Sequence, residues 1–150
     1  MGMLNWLMSP RGLATDRWCV KYLGVSPLNH VFARQGGFKA RPALLLETVG
    51  RKSGVLRPVV LPYYELEGRL FVVGSKGGAP KDPYWVENLR AWAYVSIRKR
   101  RKKISVQARV LSPEERRPIW EAICELMPVY RQYQQSTDRQ IPVVELQPQG

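Results

Sequence analysis

Residues 50–89, GRKSGVLRPVVLPYYELEGRLFVVGSKGGAPKDPYWVENL, follow closely on the apolar run Ala43-Leu44-Leu45-Leu46, and their reading decides the fold. The apolar run breaks at Gly50-Arg51-Lys52-Ser53-Gly54, where glycines permit positive φ and two cations sit on the bend. A second apolar segment, Val59 to Leu66, turns at Glu67-Gly68 into Leu70-Phe71-Val72-Val73, and that third strand ends in Ser75-Lys76-Gly77-Gly78. Strands one and three therefore both end in glycine-bracketed lysine loops. Side by side, their backbone N–H groups and ammonium groups would make an anion cradle. Taken singly, each loop reads as a solvated turn; it is the two together, with the charge total, that bring an anion site level with that reading.

Outward from this stretch, Asp82-Pro83 reads as a helix start, with Asp82 as cap and Trp85, Leu89 and Trp92 on one face. A hairpin follows, with Ala93, Val95 and Ile97 alternating against Ile104, Val106, Ala108 and Val110, and its turn is six cations long, Arg98 to Lys103. At a hairpin tip such a run is a solvated, aggregation-blocking turn, or a contact for a ligand's anionic tail or for membrane phosphates. Ser112-Pro113-Glu114-Glu115 is a capping box that opens a helix to about Met127, with Ile119, Trp120, Ile123, Leu126 and Met127 inward, before Pro128 ends it. A short turn, Tyr130 to Gln135, leads to a last strand, Val143 to Leu146. The pattern predicts an α+β fold, a small barrel of five to six mainly antiparallel strands with flanking helices.

The N-terminal side reads differently. Met3 to Met8 and Asp16 to Leu23 are expected as short helices, the second capped by Asp16, and Leu28 to Arg34 as a third before Gly36-Gly37. Residues 1–40 thus form a helical extension and residues 41–150 the barrel domain. Trp6, Trp18, Tyr22 and Leu23 beside Arg11, Arg17 and Lys21 suit either a lid packed on the barrel or a membrane-facing surface. Met1 to Met8 is too short to span a membrane and has no secretory cleavage site, and Trp6 stands where a myristoylation signal requires Ser or Thr.

Lys plus Arg number 24 against 12 acidic residues, a formal charge of +12 that predicts attraction to phosphates, anionic small molecules, nucleic acid or anionic lipid. Two distant cysteines, Cys19 and Cys124, support neither a disulfide framework nor a metal site and fit a reducing cytoplasm. With His30 the single histidine, the groups needed for metal-assisted hydrolysis or Ser-His catalysis are missing, and carboxylates are too sparse for a glycosidase pair. Neither GxxxxGK[ST] nor GxGxxG occurs. Chemistry here would need a bound cofactor.

Four tags in order, Gly50-Arg51-Lys52-Ser53-Gly54 with Arg57, Ser75-Lys76-Gly77-Gly78, Pro83-Tyr84-Trp85-Val86-Glu87-Asn88-Leu89, and Tyr130 with Tyr133 and Thr137-Asp138-Arg139-Gln140-Ile141-Pro142, resemble the deazaflavin-dependent nitroreductase family. The resemblance runs from about Ala43 to Pro148. It implies the split β-barrel version of the fold and coenzyme F420, whose phosphate and oligoglutamate tail reward several cations. It further implies that Arg51, Lys52, Ser53 and Arg57 hold phosphate and tail. Pro58, Val59, Val60, Leu61 and Pro62, with Val73, Gly74, Ser75 and Lys76, would line the ring, and Tyr84, Trp85, Val86, Glu87 and Asn88 would wall one side.

Tyr130 and Tyr133, three apart, can point the same way, and a phenol with an ordinary pKa of about 10 stays protonated at neutral pH and can donate to an oxygen gaining electrons. On residue chemistry alone, packing at a core edge is the preferred reading of both. The resemblance implies Tyr130 at the coenzyme, Tyr133 at the substrate and Ser75 bonded to the ring or the developing substrate anion. No metal is expected. Ser136 stands where the family's namesake has an aromatic residue, which bears on nitroimidazole reduction more than on coenzyme binding. The implied activity is hydride transfer from reduced F420 to an electron-poor quinone, nitro compound or unsaturated ketone or lactone. The implied setting is the cytoplasm, with peripheral contact at the inner face of an anionic membrane as a variant and a dimer as one oligomeric state. Rival readings are an FMN-binding split-barrel flavoprotein and a basic barrel binding nucleic acid; the latter lacks an alternating aromatic stacking surface.

Overall fold

The computed structural model describes residues 3–23, 26–28, 30–31 and 41–149. Its strands are β1 (Ala43–Val49), β2 (Leu56–Pro62), β3 (Tyr64–Leu66), β4 (Arg69–Val73), β5 (Tyr94–Lys99), β6 (Lys102–Val110) and β7 (Val143–Pro148). The helices are α1 (Met3–Leu7), α2 (Pro10–Leu23), α3 (Tyr84–Ala91), α4 (Pro113–Leu126) and α5 (Val129–Gln135), with a 3₁₀ turn at Lys76–Gly78.

All seven strands join one sheet in the order β2-β1-β5-β6-β7-β4-β3, every pair antiparallel. The two edge strands, β2 and β3, are separated in the chain by Tyr63 alone. One residue cannot cross the width of a flat seven-stranded sheet, since neighbouring strands lie about 4.8 Å apart. The sheet therefore curls until its edges meet: β2 comes into contact with β4, while Tyr63 N–H, donating to the Pro42 carbonyl, extends the β1–β2 ladder by one pair. This is the barrel that the strand pattern predicts. The single apolar run Val59 to Leu66 divides at Tyr63, so the strands among the described residues number seven rather than five or six. Pro58 and Pro62, which lack the N–H a ladder needs, are tolerated because β2 is an edge.

Two cores fill the structure. Leu44, Leu46, Val72, Ile97 and Leu146 meet Trp85 and Leu89 of α3 inside the curl. Phe71, Val143 and Ile141 meet Trp120, Ile123 and Met127 of α4 and Tyr130 of α5. The capping box forms as read: Ser112 accepts from the Glu115 N–H and Glu115 from the Ser112 N–H. Leu126, expected inward, is exposed. The segment read as a turn, Tyr130 to Gln135, lies within helix α5. The Glu67-Gly68 turn has both φ values positive, as a two-residue hairpin requires. The basic hairpin turns more tightly than expected, at Arg100-Arg101 alone, with Arg98 and Lys99 paired to Lys103 and Lys102.

At the N-terminus, α2 begins at Pro10 and lies against β1, β2 and β5. That cover explains why Leu45, on the side of β1 away from the core, is also buried. Asp16 does not cap a helix. It sits mid-helix and buried, accepting from Ser26 Oγ at 2.8 and 2.9 Å and from Leu28 N–H at 2.8 Å, so it ties down the segment after α2. Residues 27, 28, 30 and 31 are helical; the remainder of the expected Leu28 to Arg34 helix lies outside the described residues. Trp6, Met8 and Trp18 are exposed, and among the described residues no helix is long and apolar enough to cross a membrane.

One buried charge gives the fold a pH dependence. Glu145 on β7 is bonded to Arg69 through two nitrogens, at 3.0 and 2.9 Å, and to Arg109 at 3.1 Å. The Arg69 hydrogen bonds, outweighing burial, hold its carboxyl below the ordinary glutamate range. A folded pKa depressed below the unfolded one gives stability that is present above the unfolded value and lost as pH falls through the folded one. Urea midpoints should therefore drop between neutral pH and about pH 3, and Glu145→Gln should make that drop smaller while lowering the neutral midpoint. An unchanged slope in the variant would remove Glu145 from the acid response.

Candidate functional site

Strand register places both lysine loops at one end of the barrel. The end of β1 lies beside the start of β5 (Glu47 opposite Ser96), which lies beside the end of β6 (Tyr94 opposite Gln107). The end of β6 meets the start of β7 (Val110 opposite Val144), which meets the end of β4 (Val143 opposite Val73). The turn after β1 and the loop after β4 thus leave the sheet on the same side. The Arg100-Arg101 tip projects from the other end, away from the lysine loops.

The first loop is a closed turn. Gly50 N–H donates to Val55 O at 2.8 Å and Gly54 N–H to Gly50 O at 2.7 Å, with Gly54 at φ 72°. From α3 the buried Asn88 accepts from both the backbone N–H and the Nη1 of Arg51, each at 3.1 Å, and donates to Thr48 Oγ1 at 3.0 Å. Asn88 therefore holds the loop in place from beneath, and Lys52 and Ser53 stay exposed above it.

Beside this turn a cavity of about 390 Å³ is bounded by Arg17, Arg57, Pro58 and Tyr84. Tyr84 reaches from the start of α3 to the edge strand, its hydroxyl donating to Pro58 O at 3.3 Å. Burial raises the Tyr84 pKa, opposed by the positive charges of Arg17 and Arg57. Three residues expected at the cofactor are gathered here, and α2 adds a fourth, Arg17, that was read only as part of a basic helix. Two guanidiniums and a phenol on an open cavity fit a ligand carrying both an aromatic ring and phosphate or carboxylate groups. A larger cavity of about 540 Å³, on the outer face by Glu47, Leu56, Tyr94, Ser96, Lys103 and Ser105, contains no expected site residue and is the poorer candidate because it gathers no cluster of cations.

The second loop begins at Gly74, where a Cβ would lie 2.8 Å from Val86 and 2.9 Å from Pro142 side-chain carbons. Lys76 and Gly77 both have positive φ, 45° and 63°, and Lys76 is exposed. Gly78 is packed under the end of α5, against Tyr133 and Ser136. Asp82 does not cap α3; it accepts from Arg139 Nη1 at 2.7 Å and Arg90 Nη1 at 2.8 Å. Arg139 also donates to the carbonyls of Gly74, Ser75 and Ala79, a role that no local pattern announced.

The two tyrosines separate. Tyr130 is buried, its hydroxyl 2.8 Å from that of Tyr64, and burial pushes both phenols up, Tyr64 to about 12. Tyr133 stacks edge-on against Tyr130 with centroids 6.1 Å apart and retains exposed surface. Of the other expected lining residues, Leu61, Val73, Trp85 and Val86 are core side chains, while Val59, Val60 and Pro62 are half-buried and Glu87 is ion-paired to Arg90. Among the described residues no group of three or more His, Cys, Asp or Glu could hold a metal.

Residues 29–148 match the family model described as F420H(2)-dependent quinone reductase. An F420H(2)-dependent quinone reductase of Mycobacterium tuberculosis (strain ATCC 25618 / H37Rv) is 33% identical over 143 residues, covering 87% of this chain and 96% of the relative. A solved structure described as an F420-H2 dependent reductase (FDR-A) is 42% identical, covers 71% of this chain and 95% of its own, and superposes with a TM-score of 0.64. Another, described as a domain-swapped dimer, is 34% identical with a TM-score of 0.65 and covers 93% and 100%. The curled antiparallel sheet, the cationic end and these likenesses agree, and this chain belongs to the F420H2-dependent quinone reductase family.

Proposed function

We propose that this protein carries out its family's reaction, F420H2-dependent reduction of a quinone, at the end of the barrel where the two lysine loops emerge. The observation that carries the reading is the cavity shared by Arg17, Arg57, Pro58 and Tyr84 at that end. When bound, the reduced deazaflavin supplies a hydride. Arg51, Lys52, Ser53 and Arg57 would hold its phosphate and acidic tail, with Lys76 adding charge from the neighbouring loop and Arg17 from α2. Tyr84 would border the ring.

A quinone that accepts a hydride becomes an oxyanion and needs a proton. Tyr133 and Ser75 are the hydroxyl groups offered for that task, because both lie by the 3₁₀ turn and keep surface. Tyr130, with its hydroxyl given to Tyr64, would act by backing the Tyr133 ring. Ser136, bonded to Tyr133 O at 2.8 Å, borders the same turn without an aromatic ring, which favours quinones over stacked nitroimidazoles.

Pure protein mixed with reduced F420 and menadione should accelerate the return of oxidised F420 absorbance over the buffer rate. No acceleration with any of several quinones would remove the assignment. Bound yellow flavin after purification would favour FMN instead.

A further inference from the structure

We propose that Arg139 is the positioning residue of this site, setting the conformation in which Ser75 and Lys76 are presented to cofactor and quinone. The inference rests on the function proposed above for its ligands, and on geometry for the rest.

After β4 ends at Val73 the chain has no strand partner until α3 begins at Tyr84. Within this segment the backbone makes few bonds of its own: Gly74 N–H to Pro142 O, Gly78 N–H to Ser75 O and Ala79 N–H to Lys76 O. It nevertheless holds a lysine in the left-handed region, which costs on the order of 1 kcal/mol and persists only where surroundings over-determine it. Arg139 provides those surroundings. Its side chain is 13% exposed, and it donates from Nη1 to Gly74 O (3.2 Å), from Nη2 to Ser75 O (2.7 Å), from Nε to Ala79 O (2.7 Å) and from Nη1 to Asp82 Oδ1 (2.7 Å). One guanidinium thus gathers both ends of the loop.

That arrangement has a directional consequence. In a trans peptide the carbonyl and the following N–H point opposite ways, and this chain has no cis peptide among its described residues. Carbonyls of Gly74 and Ser75 aimed at Arg139 therefore turn the N–H groups of Ser75 and Lys76 away from it. The clamp is itself braced. Gln134 Nε2 donates to Arg139 O at 2.7 Å, Gln134 Oε1 accepts from Ile141 N–H and from Arg116 Nη2, and Arg116 Nε donates to Ile141 O. Asp82 passes the linkage to Arg90 of α3, the helix whose Asn88 holds Arg51 in the first loop. Arg139 is the node common to α5, the second lysine loop and α3. A lysine, with one nitrogen and no planar fork, cannot reach four acceptors so spread.

The test compares wild type with Arg139→Lys and Asp82→Asn. In cofactor-free protein, amide hydrogen exchange over residues 74–79 should accelerate about tenfold or more in Arg139→Lys, with melting still cooperative and core strands still protected. The dissociation constant for F420, followed by its fluorescence, should rise about tenfold in the same variant. Asp82→Asn, which removes the charge while keeping one acceptor, should move both readouts the same way by less. Unchanged exchange over 74–79 in Arg139→Lys overturns the clamp, and in Asp82→Asn alone it does so if the first variant does not fold. Faster exchange with unaltered F420 affinity overturns the positioning role. Wild type that binds no F420 would defeat the cofactor reading and this role with it, while leaving the exchange result to judge the clamp.

Discussion

Replacing Lys52 and Lys76 together by glutamate is expected to raise the F420 dissociation constant at least about 100-fold, since two charges are reversed, a net change of about four units, around a polyanionic tail. The two lysines come from loops that leave the same barrel end, and each is exposed, so both can reach one ligand without entering the core. Exposure also keeps the change off the fold, and melting temperature should barely move. Because the effect is electrostatic it must shrink with salt, with a Debye length of about 8 Å at physiological strength. A control of identical charge change lies at hand in Lys102 and Lys103, exposed at the opposite end. The pair Lys102→Glu and Lys103→Glu should leave F420 affinity within about threefold of wild type at physiological salt. Fluorescence titrations of the three proteins at low and high salt decide it. Equal affinity in wild type and the Lys52/Lys76 variant would show that the anion site lies elsewhere.

What the chain disclosed in advance follows from the range of the interactions involved. The Glu67-Gly68 turn and the Ser112–Glu115 capping box are written within four residues, and both formed as read. The two lysine loops were legible for the same reason. The edge switch at Tyr63 was not, because an unbroken apolar run looks the same whether it stays on one edge or crosses a closure. Helix α5 was hidden by Pro128, read as a stop, although a proline is tolerated before the first helical turn. Asp16 and Asp82 were each taken for caps of the nearest helix, yet their partners include Leu28, 12 residues on, and Arg139, 57 residues on. Asn88 was expected to face a ligand because nothing local reveals that Arg51, 37 residues earlier, would claim its oxygen. Arg17 joined the site only through packing of α2 on the sheet. Local chemistry thus outlined the loops, while the side chains that fix them were set by tertiary contacts.

The second large effect is expected from Gly78→Ala, set against Gly77→Ala. Both glycines have positive φ, 63° at Gly77 and 82° at Gly78, so alanine at either pays a left-handed backbone cost of about 1–2 kcal/mol. Their surroundings differ. A Cβ at Gly77 meets nothing within 4 Å, whereas at Gly78 it would collide with Ser136 Oγ and lie 2.7 Å from the Tyr133 carbonyl oxygen. Backbone cannot rotate away as a side chain does, so the 3₁₀ turn and the end of α5 must separate. Gly78→Ala should then lose about 2–4 kcal/mol of stability against about 1 for Gly77→Ala, read from urea midpoints. Separation also moves Tyr133 away from Ser75 and Lys76, and a displacement of about 1 Å can cost on the order of 100-fold in turnover. The expected pattern is a folded Gly77→Ala enzyme with nearly full kcat and a Gly78→Ala enzyme whose kcat falls far more than its F420 affinity. Equal losses in the two variants would mean that α5 does not rest on the turn tightly enough to set Tyr133 against it.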